Sequence, residues 1–343
     1  MKRITICVLA MLLTLCVWAG ESWQLTILHT NDLHGWMRPF NFTRESLDFT
    51  ERIMVDDRYA NTDAGGLARR ATLIARLRKD TTHPLVLIDA GDVFTRGPWQ
   101  KQCFGQPEVE ALNAMGYDLF CIGNCDFKGK PGADGREVLL GLQRISHFPW
   151  LGANLSAGGT GVPPAGISPF TIRRYGEMRV GFLGLTALRA RKYPQLKGVW
   201  TIDDPIVAAK RWVPLARKEC DILIAVTHLG VDLDKKLAAE VPGIDAIVGG
   251  DSHTFLRQQV LVKNPQGVEV PIVQAGAYGV VVGQLDLTFE KGEAGWRLTH
   301  SAGKLIPLDK SIPEDADMNA LLDRWLQPAK QSCLPGRTSP LAA

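Results

Sequence analysis

The stretch that decides the fold is Leu25-Thr26-Ile27-Leu28-His29-Thr30-Asn31-Asp32-Leu33-His34-Gly35. It predicts a short apolar strand that ends in a carboxylate and an imidazole two residues apart. Because side chains along a strand alternate with period two, we expect Asp32 and His34 to point the same way. Open α/β sheets keep their sites at the carboxyl ends of their strands. One Asp-x-His pair is weak evidence, since surface loops contain it by chance, so the interpretation depends on the later strands.

Four later apolar runs, within 85–92, 119–124, 221–228 and 244–253, also end in Asp, Asn or His. Each case alone is weak, because Asp and Asn are ordinary turn residues and a His after a strand is often structural. Five such endings in sequence order are harder to attribute to chance. The candidate metal ligands are therefore Asp32, His34, Asp92, Asn124, His228, Asp251 and His253.

This ligand set indicates the kind of metal centre. Carboxylates and imidazoles suit Zn, Mn or Fe. Two ions ~3.5–4 Å apart need an acid to bridge them, and together they can clamp a phosphoryl group and activate water. Asp92 is central in the order and is the natural bridge. The sequence therefore predicts two divalent ions as cofactors, with Mn, Zn, Mg and Fe all open.

The rest of the pattern alternates strands and helices, as in an α/β fold. Helical spacing predicts helices at 64–79, 107–115, 132–145, 205–218, 232–240 and 316–325. Residues 150–154 predict a strand, 156–168 a loop, 171–186 a β-hairpin and 258–308 antiparallel strands. The long connection 36–64 either contacts substrate or packs on its own aromatic side chains, and the sequence favours neither.

The amino-terminal segment has the form of a secretory signal. Lys2 and Arg3 precede an apolar run over 4–17, and Val17-Trp18-Ala19 has small residues where a signal peptidase cuts. The run is shorter than the roughly 20 residues of a spanning helix. We therefore expect a signal peptide over 1–19 and a secreted or periplasmic protein with no membrane span after cleavage. A lipoprotein attached through Cys16 is a minor alternative.

Composition sets broad limits on the chain. Its 343 residues are 45% hydrophobic and 22% charged, which is ordinary for a globular protein. The formal charge of +3 falls to +1 without the two leader cations, so charge implies no nucleic-acid partner. Cys103 and Cys121 could pair in an oxidising compartment, which the sequence does not decide. We predict one domain over 20–328 and a disordered tail over 329–343.

The ordered motifs resemble those of the calcineurin-like metallophosphoesterases, and more closely their 5′-nucleotidase branch. Residues 27–35 are similar to that branch's opening motif nearly letter for letter. The later matching blocks are Asp89-Ala90-Gly91-Asp92, Gly123-Asn124, Ala153-Asn154-Leu155, Thr227-His228-Leu229-Gly230 and Gly249-Gly250-Asp251-Ser252-His253-Thr254. The resemblance covers roughly residues 24–310 and implies an α/β fold, a four-layer α/β/β/α sandwich with mixed sheets.

The same resemblance implies which ligands serve which ion, with Asp92 as the bridge. One ion is held by Asp32, His34 and His253, and the other by Asn124, His228 and Asp251. The implied activity is that of an exported phosphoric ester hydrolase. It would use metal-activated water on a small phosphorylated substrate such as a nucleotide.

One departure from the family pattern concerns catalysis. The family follows Gly-Asn with His-Glu-Phe-Asp, in which the His stabilises the transition state and the Asp orients it. Here Cys125 replaces the His and Lys128 replaces the Asp. Losing such a donor typically costs ~10²–10³ in rate. The predicted catalytic set is Asn124, Cys125 and Lys128, where Lys128 supplies positive charge or Cys125 acts as a thiol donor or metal ligand.

A second departure is Asp251, where the family has His. A carboxylate adds negative charge and favours a harder metal such as Mn or Mg over Zn. In addition, the 5′-nucleotidases carry a large base-gripping domain after the metal domain, whereas this sequence ends soon after Leu308. Nucleotide specificity is therefore not predicted, unless residues 36–64 or a partner supplies the stacking aromatics.

Two alternative functions fit the same residues. Thiosulfohydrolases of sulfur oxidation share this branch of the fold and release sulfate from a cysteine persulfide carrier, and the altered segment 124–128 is compatible with that change. Alternatively, the chain is a catalytically weakened, metal-stabilised binding module. Retention of nearly all ligands argues against this second alternative, because a scaffold need not keep a costly cluster of carboxylates. The sequence does not indicate the oligomeric state.

Overall fold

The computed structural model describes residues 21–44, 55–94, 105–128 and 134–326. The predicted signal peptide over 1–19 and the predicted tail over 329–343 lie outside these ranges, as does Cys103 of the possible disulfide. Cys121 is buried and carries a free thiol. None of the helices in the described ranges combines the length and the apolar character that crossing a membrane requires.

The described residues form seventeen strands and six α-helices. The strands are β1 Ser22–Thr30, β2 Phe40–Phe42, β3 Asn61–Ala64, β4 Leu85–Asp89, β5 Leu119–Cys121, β6 Trp150–Leu151, β7 Leu155–Ala157, β8 Ile167–Ser168, β9 Phe170–Tyr175, β10 Met178–Thr186, β11 Trp200–Ile202, β12 Ile222–His228, β13 Ala246–Gly249, β14 Val260–Lys263, β15 Glu269–Gln274, β16 Val281–Gly292 and β17 Gly295–Pro307. The helices are α1 Leu67–Asp80, α2 Gln106–Met115, α3 Gly135–Ile145, α4 Pro205–Arg217, α5 Val231–Glu240 and α6 Ala316–Leu326.

Two mixed sheets hold most of these strands. The first has seven strands in the order β17-β16-β1-β4-β5-β6-β8, and the second has six in the order β14-β15-β13-β12-β10-β9. In the first sheet β1 runs parallel to β4 and antiparallel to β16. In the second, β10, β12, β13 and β15 are mutually parallel neighbours. Parallel strands end at the same edge, so the segments that follow β1 and β4, and those that follow β12 and β13, come out side by side.

Both faces of each sheet are covered, which explains the continuous apolar runs in the central strands. Leu25 and Ile27 of β1 point between the sheets, where they belong to one buried cluster with Phe182 and Ile224 of the second sheet. Leu28, on the opposite face of β1, belongs to the cluster beneath α1, α2, α3 and α6. Helices α4 and α5 cover the outer face of the second sheet. The predicted four-layer α/β/β/α sandwich is confirmed.

The predicted elements differ from the observed ones mainly at their ends. Helix α1 begins at Leu67 instead of residue 64, because Gly65 and Gly66 adopt φ of 78° and 97°. The predicted loop over 156–168 contains most of β7 and all of β8. The prediction of antiparallel strands over 258–308 is confirmed for β14 with β15 and for β16 with β17. β15 also runs parallel to β13, which precedes this range. The hairpin over 171–186 is confirmed as β9 paired with β10.

Glu108 on α2 is a buried acid that should make folding stability depend on pH. Both of its carboxylate oxygens are buried without a hydrogen-bond partner among the described residues. Burial raises the pKa of Glu108 from 4.5 to about 7. The folded state therefore retains a proton that the unfolded state releases. The stabilisation from Glu108 is complete below pH 4.5 and is lost as the pH rises to about 7.

The variant Glu108→Gln needs no proton and should flatten this dependence. We expect wild-type stability to fall by about 3 kcal/mol between these limits relative to the variant, since a tenfold change in proton affinity corresponds to ~1.4 kcal/mol. Urea unfolding from pH 4.5 to 8 measures the difference. Glu137→Gln, an exposed change on α3, is the matched control and should leave the wild-type profile unchanged. If the unfolding free energy of wild type and of Glu108→Gln changed equally with pH, the prediction would be contradicted.

Candidate metal centre

The predicted ligands lie just beyond the strand ends, in loops with an unusual backbone. Strand β1 ends at Thr30, so Asp32 and His34 are not strand residues. The expectation that period-two alternation aligns them is therefore wrong. Left-handed backbone turns direct their side chains instead. Non-glycine residues rarely adopt this conformation, yet five of the seven predicted ligands do, with φ between 51° and 82°, namely Asp32, His34, Asp92, Asp251 and His253.

Hydrogen bonds between neighbouring loops fix these turns. The backbone N–H of Asp32 donates to Gly91 O at 2.8 Å, and that of His34 donates to Asp92 O at 2.9 Å. The backbone N–H of Asp251 donates to Asp32 Oδ2 at 2.8 Å, which ties the second sheet's loop to the first. Three loops from two sheets therefore hold one another in place before any ion binds.

Asp32, His34 and His253 form the first ligand group. His253 Nε2 lies 3.2 Å from Asp32 Oδ1, and His34 Nε2 lies 3.6 Å from the same oxygen. The two imidazole nitrogens are 3.1 Å apart. All three ligand atoms lie within 4.8 Å of one another, as a shared cation would require. This is the set that the resemblance assigned to one ion.

Asp92 lies between this group and His228. Its Oδ2 is 3.3 Å from His228 Nε2 and 4.0 Å from His34 Nε2. Asp32, Asp92 and His228 form a second group whose ligand atoms lie within 4.8 Å of one another. The structure therefore brings Asp92 to the central position that the sequence order predicted. Asp251 belongs to none of the ligand groups found in the described residues, although its Oδ1 is 3.3 Å from His228 Nε2.

His228 is oriented and charged by its surroundings. Its Nδ1 lies 2.7 Å from Ala90 O, so Nδ1–H donates to that carbonyl and Nε2 faces the acids. Burial acts to lower the pKa of His228, but the carboxylates of Asp92 and Asp32 outweigh it and raise the pKa to about 10. A proton on Nε2 therefore balances the acids when no ion is bound, and metal binding must displace it.

Two buried atoms test whether the centre suits a cation. Asp32 Oδ1 and His228 Nε2 are buried, and neither has a well-aligned hydrogen bond among the described residues, although both lie at ion-pair distance from other ligands. Polar atoms that are incompletely satisfied in a dry interior are costly, and a carboxylate oxygen and an imidazole nitrogen are good ligands for a divalent metal. The donor set therefore fits divalent metal ions.

Residues 124–128 place two of the three predicted catalytic residues at the centre. Cys125 is buried, its backbone N–H donates to Asp92 Oδ1 at 2.6 Å, and its sulfur forms a ligand group with His34 and Asp92. The Asn124 amide lies beside it, with Nδ2 3.1 Å from the sulfur. Lys128 is exposed at the end of the 3₁₀ turn Cys125–Phe127, and its role stays a prediction.

Asp126 is a structural acid that the sequence analysis did not single out. Its Oδ2 accepts hydrogen bonds from the backbone N–H groups of Gly123, at 2.7 Å, and Asp92, at 3.0 Å. Burial and then the charge of Asp92 raise the pKa of Asp126 to about 8. This side chain joins the tips of β4 and β5, so it holds Asp92 and Asn124 at a fixed spacing.

Arg189 and Tyr193 were also missed, since they follow β10 in a segment without a ligand-type motif. The Arg189 guanidinium donates from Nε to Asn124 Oδ1 at 2.8 Å and forms an ion pair with Asp251. The Tyr193 hydroxyl is buried beside Cys125 and Asn124. Burial, followed by the neighbouring Cys125 and Asp92, raises its pKa. A cation and a phenol therefore flank Asn124.

Aromatic side chains from the connection 36–64 lie against the other side of the centre. Trp36 and Phe40 contact each other, with ring centroids 4.3 Å apart, and both contact Tyr278. Tyr278 in turn contacts His34, at 5.6 Å between ring centroids. The described parts of the connection, residues 36–44 and 55–64, therefore pack on aromatic side chains, as one of the two interpretations predicted, and this packing reaches the ligand side chains through Tyr278.

Comparisons with known proteins agree with this geometry. 5′-Nucleotidase from Bos taurus is 33% identical over an alignment of 327 residues that covers 90% of this chain and 53% of the relative. The structure of a 5′-nucleotidase precursor from Thermus thermophilus matches with a TM-score of 0.75 at 27% identity, over 89% of this chain and 59% of that one. The chain thus spans about half the length of the curated relatives it matches.

A third comparison concerns the fold alone. Sulfate thiohydrolase SoxB from Thermus thermophilus matches with a TM-score of 0.72 at 20% identity, over 88% of this chain and 60% of that one. The family model described as calcineurin-like phosphoesterase matches residues 25–255. Because that match includes every strand end that carries a predicted ligand, the chain belongs to the calcineurin-like phosphoesterase family.

Proposed function

We propose that the protein is an exported metal-dependent phosphoesterase that hydrolyses a small phosphate ester, with nucleotides as the first substrate class to test. The observation that carries the proposal is that three ligand groups overlap. Asp32, His34 and Asp92 each belong to two of them. Shared ligands of this kind suit two ions held close together. We take the substrate class from the name 5′-nucleotidase of the relatives. We infer export from the predicted signal peptide.

The chain's own residues would supply binding and orientation. Asp32, His34, Asp92 and His253 would hold one ion, and Asp92, Asn124, His228 and Asp251 the other. Bound divalent ions at this position supply charge neutralisation for the phosphoryl oxygens and lower the pKa of water. The left-handed turns and the hydrogen bonds between loops preorganise these ligands, so little reorganisation is needed during turnover.

The site lacks the family's histidine donor, and three neighbours offer other groups. The Cys125 thiol, the Tyr193 hydroxyl and the Arg189 guanidinium lie beside Asn124 or Asp92. Arg189 is a permanent cation and Tyr193 is a neutral donor at ordinary pH, so both can face a phosphoryl group without a change of protonation. Lys128 remains the fourth candidate from the sequence.

The sulfur-ester alternative is kept for a specific reason. The Cys125 thiol stands where the phosphoesterase pattern has a histidine, Lys128 stands where it has the acidic partner, and the Arg189 guanidinium bonds to the neighbouring Asn124. Such a change in donors alters which leaving group and which anion the site prefers. The segment 124–128 therefore bears on the choice between a phosphate ester and a sulfur ester.

The test is hydrolysis by the protein without residues 1–19, stripped of metal with a chelator and then loaded with Mn²⁺. The substrates are an aryl phosphate, 5′-AMP and a peptide cysteine S-thiosulfonate. We expect phosphate release from the first two only when metal is present. Sulfate release from the third with no phosphate release would favour the alternative, and metal binding without turnover of any substrate would favour a binding module.

Cys125 offers a separate prediction on metal preference. Its sulfur lies in one ligand group with His34 and Asp92, and thiolate ligands favour Zn over harder ions. If sulfur is a ligand, Cys125→Ser should weaken Zn²⁺ binding on the order of 10–100-fold and change Mn²⁺ binding little. Competition titrations with a chromophoric chelator measure both constants. Cys220→Ser, a buried thiol of the second sheet's helical layer, is the matched control. Equal losses for both metals would assign Cys125 a packing role.

A further inference from the structure

Arg189 reaches the metal centre from the turn that follows β10. This strand is parallel to β12, with Thr186 opposite His228, so both strands end at the same edge of the second sheet. The 3₁₀ turn Leu188–Lys192 then begins two residues after Thr186. Its Ala190 is fully buried, and Arg191 Nε donates to Ile202 O at 2.5 Å. The fold therefore fixes the place from which the Arg189 side chain extends.

The guanidinium of Arg189 bonds to two of the predicted ligands of the second ion. Its Nε donates to Asn124 Oδ1 at 2.8 Å, and a terminal nitrogen donates to Asp251 O at 3.0 Å. The same nitrogen forms an ion pair with Asp251 Oδ1. Asn124 and the Asp251 side chain are nearly inaccessible to solvent, whereas 51% of the Arg189 side chain is exposed. One end of the side chain thus sits among buried oxygens while its remainder stays in water.

We propose that Arg189 occupies the second cation position, so that a second metal ion binds only in competition with its guanidinium. A guanidinium is charged at all ordinary pH, and its planar fork matches a carboxylate with a neighbouring oxygen. A metal ion held by Asn124 and Asp251 would need the same oxygen lone pairs. It would also stand within a few ångströms of an Arg189 left in place, where two cations repel.

The replacement of the family's histidine by Asp251 fits this arrangement. An imidazole would not attract a guanidinium, whereas a carboxylate pairs with it. Asp251 is also absent from the ligand groups in the described residues, while the one carboxylate and two imidazoles predicted for the first ion lie together. The chain should therefore hold one ion tightly and a second weakly, with Arg189 setting the difference.

The test compares Mn²⁺ binding by wild type, Arg189→Gln and Arg189→Lys in the protein without residues 1–19. Titration calorimetry gives the two affinities, and electron paramagnetic resonance distinguishes isolated Mn²⁺ from a coupled pair. We expect wild type to show one tight site and a weaker second site. Arg189→Gln should strengthen the second site about tenfold or more, which is within the usual range of coupling between sites, and leave the first nearly unchanged. Arg189→Lys should fall between the two.

Lys192→Gln is the matched control, because it removes the same charge from the same turn while its ammonium faces the Tyr193 ring instead of the ligands. Its two Mn²⁺ affinities should equal those of wild type. Two equally tight sites in wild type, or a second site that weakens in Arg189→Gln, would overturn the proposal. The inference rests on the proposed function only for the identity of the ligands. Titration needs no turnover, so a protein that binds ions without hydrolysing phosphate would still test it.

Discussion

Replacing Asp92 with Asn should abolish metal-dependent hydrolysis while leaving the fold intact. Asp92 is buried, and its Oδ2 lies between His34 Nε2 and His228 Nε2, so its charge serves both ligand groups. Asn is nearly the same size and tolerates the left-handed backbone found here, at φ of 57°. The change therefore removes the charge without a steric cost.

The expected loss follows from the role of the missing charge. Divalent ions contribute several kcal/mol of charge stabilisation in such sites, and each 1.4 kcal/mol is a factor of ten in rate. We expect kcat/KM to fall by on the order of 10³ or more with saturating Mn²⁺. Thermal unfolding should also lose most of the stabilisation that Mn²⁺ gives to wild type, because only binding to the native state raises the midpoint.

Asp221→Asn is the matched control for this variant. Its carboxylate pairs with Arg179 at 2.8 Å, away from the metal centre. The substitution replaces a carboxylate with an amide, as Asp92→Asn does. Hydrolysis and the Mn²⁺-dependent shift in unfolding temperature should both match those of wild type. If Asp92→Asn instead kept its Mn²⁺ shift and its turnover, the central position of Asp92 would be without catalytic consequence, and the two-ion proposal would fail.

The residue types at the strand ends carried most of the predictive information. Strands β1, β4 and β12 followed from apolar runs that need burial on both faces, whereas the four-layer architecture followed from the family resemblance. The ligands themselves came from Asp, Asn and His after those runs. The shared direction of Asp32 and His34 was attributed to the wrong cause, because alternation applies only within a strand and β1 ends at Thr30. A left-handed residue at position 32 or 34 leaves no periodic signal in a sequence.

Other site residues could not be found from the sequence for a similar physical reason. Arg189 acts through one long side chain from a short 3₁₀ turn, and its partners Asn124 and Asp251 are 65 and 62 residues away. Asp126 bonds to backbone N–H groups of two different loops. Contacts of this kind depend on how loops meet in three dimensions. The only local signal was negative, namely that Cys125 and Asp251 stand where a histidine was expected.

Gly123 should be the most sensitive position outside the ligands themselves. A Cβ at this position would overlap the backbone nitrogen and Oδ1 of Asp92 and would lie 2.9 Å from its Cγ. Neither atom can move away freely, since Asp126 holds the backbone N–H groups of both Gly123 and Asp92, and Asp92 Oδ1 accepts a hydrogen bond from the Cys125 N–H. Gly123→Ala must therefore displace the Asp92 carboxylate or separate the tips of β4 and β5.

Both responses should lower the metal affinity and the unfolding free energy. Overpacking of this kind costs about 1–3 kcal/mol of unfolding free energy. A displaced ligand support lowers metal affinity on the order of 10–100-fold. Urea unfolding without metal measures the first effect, and Mn²⁺ titration of the folded variant measures the second. Both follow from the same collision, so they should occur together.

Gly292→Ala is the matched control, because a Cβ there would meet only Gly295 O, at 3.7 Å. It lies at the end of β16, far along the strand from the ligand loops, and should change neither quantity. A Gly123→Ala protein with reduced stability but wild-type Mn²⁺ affinity would mean that the β5 tip yields and the carboxylate stays in place. Asp126 would then not be the clamp, and Asp126→Asn should be similarly harmless to metal binding. The expected result is instead that Gly123→Ala lowers both the unfolding free energy and the Mn²⁺ affinity while Gly292→Ala lowers neither. That result would establish that close packing of the β4 and β5 tips positions Asp92.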